Sequence, residues 1–311
     1  MKKLPIALNI DDGCAVYNAT YQHTRKPGKI TFGGEKLVEF IPNSFAVKLC
    51  DLLNKYNVKG KLSIIPLPGG KNPYETSEGK KWLKIINSRL GGKFSFCPEM
   101  LTHYFAYDIK NDCYTNDLEY VWAEKQDANS LQEYIELALK TLSSRGVEVS
   151  GVSSPWGFGG TNLENYKHAV SEAYYNVFNK KQTWVFVEFY EGKGKPHLLI
   201  DGDKKLVSIP ATTNDCIWDT MEYNDTSDEF ILKCADKYIS GDGKSGLIID
   251  TLNNGGIPCI LTHYTSLYSN GRETGLKVLE ITLQRIEKFL SDKVEFKSFD
   301  EIMKMCINKE I

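Results

Sequence analysis

The sequence predicts an α/β fold, a largely parallel sheet or barrel interrupted by an inserted β-hairpin or meander. Three observations carry that prediction. Short apolar runs alternate with helical patterns along most of the chain, the signature of repeated βα units. From Thr183 to Ala211 the pattern changes to three strand-like runs, with Gly-Lys-Gly-Lys and Asp-Gly-Asp at the turns, which marks the insertion. A length of 311 residues suits one α/β barrel, so the chain reads as a single domain, 1–311, with a β insertion at about 180–245.

In chain order, a first strand runs from Leu4 to Ile10 and stops on Asp11-Asp12-Gly13, where successive rungs point the two carboxylates to different sides. The polar segment Cys14 to Ile41 is too long for an ordinary connection and reads as a functional loop or lid. Asn43 caps a helix with Phe45, Val47, Leu49, Leu52 and Leu53 on one face, and a second strand covers Gly60 to Ile65. A helix from Ser77 to Arg89 precedes a strand, Lys93 to Cys97, that runs into Pro98-Glu99-Met100-Leu101-Thr102-His103. A helix from Ser130 to Ser144 leads to a strand, Val147 to Ser153, followed by Ser154-Pro155-Trp156-Gly157. A helix spans Leu163 to Phe178 before the inserted strands. Helices at Glu229 to Ser240 and Gly246 to Asn253 then precede a strongly apolar strand, Ile257 to Leu261, which delivers Thr262-His263. A helix from Thr274 to Leu290, a strand from Val294 to Phe296 and a terminal helix close the chain.

Lys and Arg number 38 against 40 Asp and Glu, a net charge of -2, which argues against nucleic acid and against an anionic membrane as partners. No apolar run approaches the roughly 18–20 residues of a membrane helix. The first apolar run ends at two aspartates and lacks a cleavage site, so the expected location is the cytoplasm. The eight cysteines show no paired spacing, as expected of small buried hydrophobes; Cys14 and Cys97 lie near candidate site residues as alternative soft ligands. His23, His168 and His197 read as surface or structural residues.

Four strands end in chemically loaded segments: Asp11-Asp12, Glu99 with His103, Pro155-Trp156, and His263. Strand ends of a parallel α/β fold gather on one face, so these residues are expected to meet. Their order resembles the NodB-homology fold of polysaccharide deacetylases, the fourth carbohydrate esterase family, whose fold is a distorted or incomplete (β/α) barrel. Asn9-Ile10-Asp11-Asp12-Gly13 resembles the family's Thr-Phe-Asp-Asp-Gly, which implies Asp11 as catalytic base and Asp12 as metal ligand. Val58 to Ile64 resembles its second strand. Glu99 and His103 stand where the family has a His-x-x-x-His metal pair, with Glu99 a departure. Ser154-Pro155-Trp156-Gly157 resembles the Arg-x-Pro-Tyr/Trp-Gly motif, with Ser153 at the Arg position. Cys259 to His263 resembles the last motif, which implies His263 as general acid.

The resemblance implies a metal-dependent hydrolase that removes an N- or O-acetyl group from a carbohydrate-like molecule or glycan. Asp12, Glu99 and His103 would hold a divalent ion, Zn, Mn, Ni, Co or Mg, with Glu99 shifting preference toward the harder metals. Loss of the arginine leaves Asp11 without its orienting partner, a place that Arg272 is a candidate to fill. Pro155, Trp156, Tyr17, Tyr104, Trp218, Asp219, Tyr264 and Arg272 are candidates to contact the substrate, with Asp215 beside Trp218. Two rivals stand beside this reading. One is a metal-independent glycoside hydrolase using Asp11 or Asp12 with Glu99. The other is a non-catalytic carbohydrate-binding protein that retains the fold.

Overall fold

Strand β1 (Leu4–Gly13) is the hub of the sheet, because almost all of it is buried and strands pair along both of its edges. Described in the computed structural model are residues 3–22, 31–70 and 72–311. The remaining strands are β2 (Thr31–Phe32), β3 (Glu35–Lys36), β4 (Gly60–Ile64), β5 (Phe94–Pro98), β6 (Phe105–Asp108), β7 (Cys113–Leu118) and β8 (Val152–Ser153). They continue with β9 (Gln182–Phe186), β10 (His197–Asp201), β11 (Lys205–Ser208), β12 (Cys259–His263) and β13 (Val294–Phe296). The helices are α1 (Asn43–Lys55), α2 (Ser77–Leu90), α3 (Glu119–Ala123), α4 (Ala128–Ser143), α5 (Leu163–Phe178) and α6 (Asp219–Glu222). After these come α7 (Asp228–Tyr238), α8 (Leu247–Asn253), α9 (Tyr264–Tyr268), α10 (Thr274–Leu290) and α11 (Phe299–Ile307).

One sheet has the order β12-β1-β4-β5, all parallel, with β13 beside the start of β1. A second has the order β10-β11-β9-β8, parallel except for β10. Isolated bridges join them: Phe96 to Val149 and Glu99 to Ser153 on one side, Thr213 to Ile260 on the other. The result is a distorted, incompletely hydrogen-bonded (β/α) barrel. The three strands expected between 183 and 211 are present; β10 and β11 form the hairpin, while β9 and β11 are parallel staves of the ring.

Alternation of side chains sorts the apolar residues into two cores. Ile6, Leu8, Ile10, Leu62, Ile64 and Val152 face the outer helices, whereas Ala7, Cys97, Trp184, Phe186, Val207 and Cys259 form an inner core. Helix α11 adds Phe299, Ile302, Met303 and Cys306 to that inner core and plugs the end of the ring away from the strand C-termini. Its N-terminus is fixed by a capping box, Ser298 with Glu301, and by Asp300, which accepts hydrogen bonds from Ser95, Ser150 and the Trp184 indole.

Residues 23–30, which include His23 and much of the anticipated lid, lie outside the described residues. Flanking them, β2 and β3 form a two-residue ladder. The hairpin β6–β7 and helix α3 occupy 105–123, a stretch to which the sequence pattern assigns nothing. Among the described residues no helix is long and apolar enough to cross a membrane.

Phe299 is fully buried with its ring 4.9 Å from that of Trp184. Phe299→Ala is expected to lower unfolding stability by about 3–5 kcal/mol in urea denaturation, because the plug cannot collapse to fill the void.

Candidate active site

The C-terminal ends of the strands surround a cavity of about 410 Å³ lined by Asp11, Asp12, Glu99, His103, Pro155, Trp156, Phe186, Glu188, Phe189, Trp218 and His263, among others. Asp11 and His263 are register partners on neighbouring strands β1 and β12. Asp12 has a φ of 59°, and the pairing of β1 with β4 shifts between Ile10 and Gly13. Strict alternation therefore fails at the strand end, and Asp11 and Asp12 both line the cavity, which corrects the expectation that they diverge. Gly13 permits the irregularity, since a Cβ there would lie 2.3 Å from the Ser63 carbonyl oxygen.

Ligand atoms of Asp12, Glu99 and His103 lie within 4.8 Å of one another, and all three residues are buried. His103 Nε2 is 2.9 Å from Asp12 Oδ1 and 3.9 Å from Glu99 Oε1. Two donors each about 2.1 Å from one ion stand about 3 Å apart, so the spacing suits a shared cation. Glu99 Oε2 accepts from the Ser63 hydroxyl at 2.6 Å and from the Asp12 backbone N–H at 2.5 Å. Burial, with the charges of Asp11 and Asp12, pushes the Glu99 carboxyl up to about 8. Burial alone would lower His103, but Asp12 and Glu99 raise it to about 9. So much buried negative charge fits a divalent cation, and the mixed oxygen and nitrogen donors are of a type that such ions accept. Cys14 and Cys97 are not part of this group, and burial pushes both thiols far up.

The loop that carries His103 is held from beneath by Glu119. This buried carboxylate accepts the backbone N–H of Leu101, Thr102 and His103 at 3.0, 2.8 and 2.9 Å, and the Tyr134 hydroxyl at 2.6 Å. The clamp holds a strained backbone, with φ of 42° at Met100 and 53° at His103. Trp156, at 49°, sets its ring edge-on to His103, with centroids 5.0 Å apart, and Tyr120 braces it.

Asp11 is held by Lys61 of β4, a fully buried side chain whose ammonium also donates to Ser153 Oγ at 2.7 Å. Arg272 does not take this part: it pairs with Glu35 and the Thr220 carbonyl. His263 Nδ1 lies 2.7 Å from Asp215 Oδ2, which also accepts from Ser266 at 2.9 Å. Burial works against protonation of His263, but Asp12, Asp215 and Asp11 outweigh it and raise the imidazole to about 10.

Of the candidate substrate contacts, Pro155, Trp156 and Trp218 line the cavity, and the Trp218 ring packs 5.1 Å from that of His263. The others do not line it. Tyr264 is wholly buried between sheet and helices, where its hydroxyl accepts the Trp82 indole N–H. Tyr17 is buried and donates to Glu39, and Tyr104 packs on Phe105. Asp219 is bound by Lys237 away from the cavity. Sequence reasoning missed Lys61, Glu119 and Glu188. The signal for Lys61 was present, a charge inside an otherwise buried strand; Glu119 and Glu188 carried none.

No protein-family model matches the chain, and no curated protein matches it. Solved structures do. A Mycobacterium smegmatis protein assigned to the polysaccharide deacetylases aligns over 100% of this chain and 93% of its own, at 14% identity and a TM-score of 0.60. The peptidoglycan deacetylase PdaC of Bacillus subtilis aligns over 99% and 94%, at 9% identity and a TM-score of 0.46. A Bacillus anthracis pseudoenzyme of the fourth carbohydrate esterase family aligns over 97% and 66%, at 10% identity and a TM-score of 0.43. At such identities a likeness speaks for architecture alone, and here the first of the three carries it. The chain has the NodB-homology fold of the polysaccharide deacetylases.

Proposed function

We propose that the chain is a metal-dependent hydrolase that removes an acyl group, N- or O-acetyl, from a carbohydrate-like substrate. One observation carries this reading. A buried set of two carboxylates and an imidazole, Asp12, Glu99 and His103, shares a cavity with an ammonium-held carboxylate, Asp11, and a carboxylate-held imidazole, His263. The likeness to a protein assigned as a polysaccharide deacetylase supports the acyl-carbohydrate part.

Asp12, Glu99 and His103 would hold a divalent cation, which when bound polarises a carbonyl and makes a water more acidic. Asp11 accepts the proton of the attacking water. His263, kept protonated beside Asp215, gives a proton to the leaving nitrogen or oxygen. Their register pairing sets acceptor and donor on adjacent strands, whose backbones run about 4.8 Å apart. Trp156 at the His103 end and Trp218 at the His263 end offer ring surfaces to the apolar C–H face of a sugar. Glycoside hydrolysis fits less well, because it needs carboxyl groups flanking the scissile bond. Asp11 and Glu99 instead lie side by side, sharing the Ser63 hydroxyl at 3.0 and 2.6 Å.

Acetate release from N-acetylglucosamine oligomers and acetylated xylan is the direct assay. Activity should vanish with chelator and return with Mn²⁺ or Zn²⁺, and Asp11→Asn should lower kcat by about 10²–10⁴-fold at unchanged metal content. Glycan binding without acetate release, indifferent to chelator, would identify a binding protein instead. Calorimetry of Glu119→Gln should show metal affinity reduced about 10- to 100-fold, although no ligand is altered. In the wild type the cation must displace protons from Glu99, at about 8, and His103, at about 9. Apparent affinity should therefore rise from pH 6 to 8 by up to about tenfold per unit for each proton displaced, whereas a flat profile would place the ligands elsewhere.

A further inference from the structure

Taking Asp11 as the proton acceptor proposed above, we propose that Lys61 is its positioning residue, acting from β4 together with Ser153 of β8. The Lys61 ammonium is bound to one oxygen of Asp11, Oδ1, and the Ser63 and Ser153 hydroxyls lie 3.0 and 3.4 Å from that same oxygen. Convergence on a single oxygen fixes the rotation of the carboxylate and leaves Oδ2 to face a reactant. Lys61 is itself confined, wholly buried, with Nζ 4.6 Å from the centroid of the Phe186 ring and 2.7 Å from Ser153 Oγ. Ser153 and Lys61 share one volume inside the ring. A short side chain on β8 makes room for a long cation from β4, so the positive charge expected at position 153 enters from the other strand. The pair stands where the inner apolar core, to which Phe186 and Cys97 belong, meets the cavity that Asp11 lines. Lys61 and Ser63 are register partners of Ser95 and Cys97 on β5, and Asn9 on β1 faces Lys61.

The test compares kcat, KM and Mn²⁺ affinity across a charge swap. Lys61→Met should lower kcat about 100-fold, as a misplaced base does, with KM and Mn²⁺ affinity within about threefold of wild type. Lys61→Ser should lose as much, and Lys61→Ser/Ser153→Arg, which returns a cation to the same space from β8, should recover at least about tenfold of that loss. Undiminished kcat in Lys61→Met, a joint loss of kcat and Mn²⁺ affinity, or no recovery in the swap would overturn the assignment. If the wild type releases no acetate, the proposed function fails and thermal unfolding decides the role of Lys61. Lys61→Met should then lower Tm more than Lys61→Met/Asp11→Asn does, because the single change strands a buried carboxylate. Additive losses would overturn the pairing.

Discussion

Three carboxylates, Asp11, Asp12 and Glu99, are buried together at one end of a ring of strands, and most of what surrounds them answers that charge. Uncompensated, each would cost several kcal/mol to remove from water. Lys61 and His103 supply positive charge, and Ser63 and the Asp12 amide supply hydrogen bonds. Such pairs add little net stability even when well made. The apolar work is done elsewhere, by the helix-facing core and by the inner core that α11 seals. One barrel thus has a polar mouth and a greasy base, and the inward rungs change character from one end to the other.

Part of the backbone strain lies at the same mouth. Asp12, Met100, His103 and Trp156 all occupy the left-handed region without being glycine, at a cost of about 1–3 kcal/mol each. Such conformations persist only where the surroundings over-determine them. Glu119 does so for the His103 loop by gathering three consecutive amides, and the shifted pairing with β4 does so for Asp12. The side chains that converge on the cavity are therefore held before any ligand arrives, as a preorganised site requires.

Much of the architecture was legible because period and length are local properties. The helix from Thr274 to Leu290 and the strand from Val294 to Phe296 have the anticipated ends. The stave expected from Val147 to Ser153 shrinks to Val152–Ser153, because its contact with β5 is made by isolated bridges, a tertiary outcome that no local pattern encodes. Within the site, Asp11, Asp12, Glu99, His103 and His263 stood out as polar residues at the ends of apolar runs. Aromatic side chains gave no such guidance: Tyr264 and Trp156 look alike in sequence, yet one is sealed in the core and the other is 46% exposed. Lys61 was visible as a misplaced charge, but its partner belongs to another strand, and pairing across strands is what one sequence least reveals.

The placement of β1 at the centre of the sheet has a consequence for synthesis. Its neighbour on one edge, β12, and the strand that borders its start on the β4 side, β13, come from the last part of the chain, and the plug α11 comes last of all. Asp11, Asp12, Lys61, Glu99, His103 and Glu119 have all been translated by residue 119, more than 140 residues before His263. A ribosome-bound chain therefore carries the acidic cluster and its clamp while half of the central strand is bare and the barrel floor is missing. Closure waits on contacts of very long sequence separation, the slowest kind to form. Until then the nascent protein presents an open strand edge, and a chaperone that covers it would meet the chain before its acid had been made.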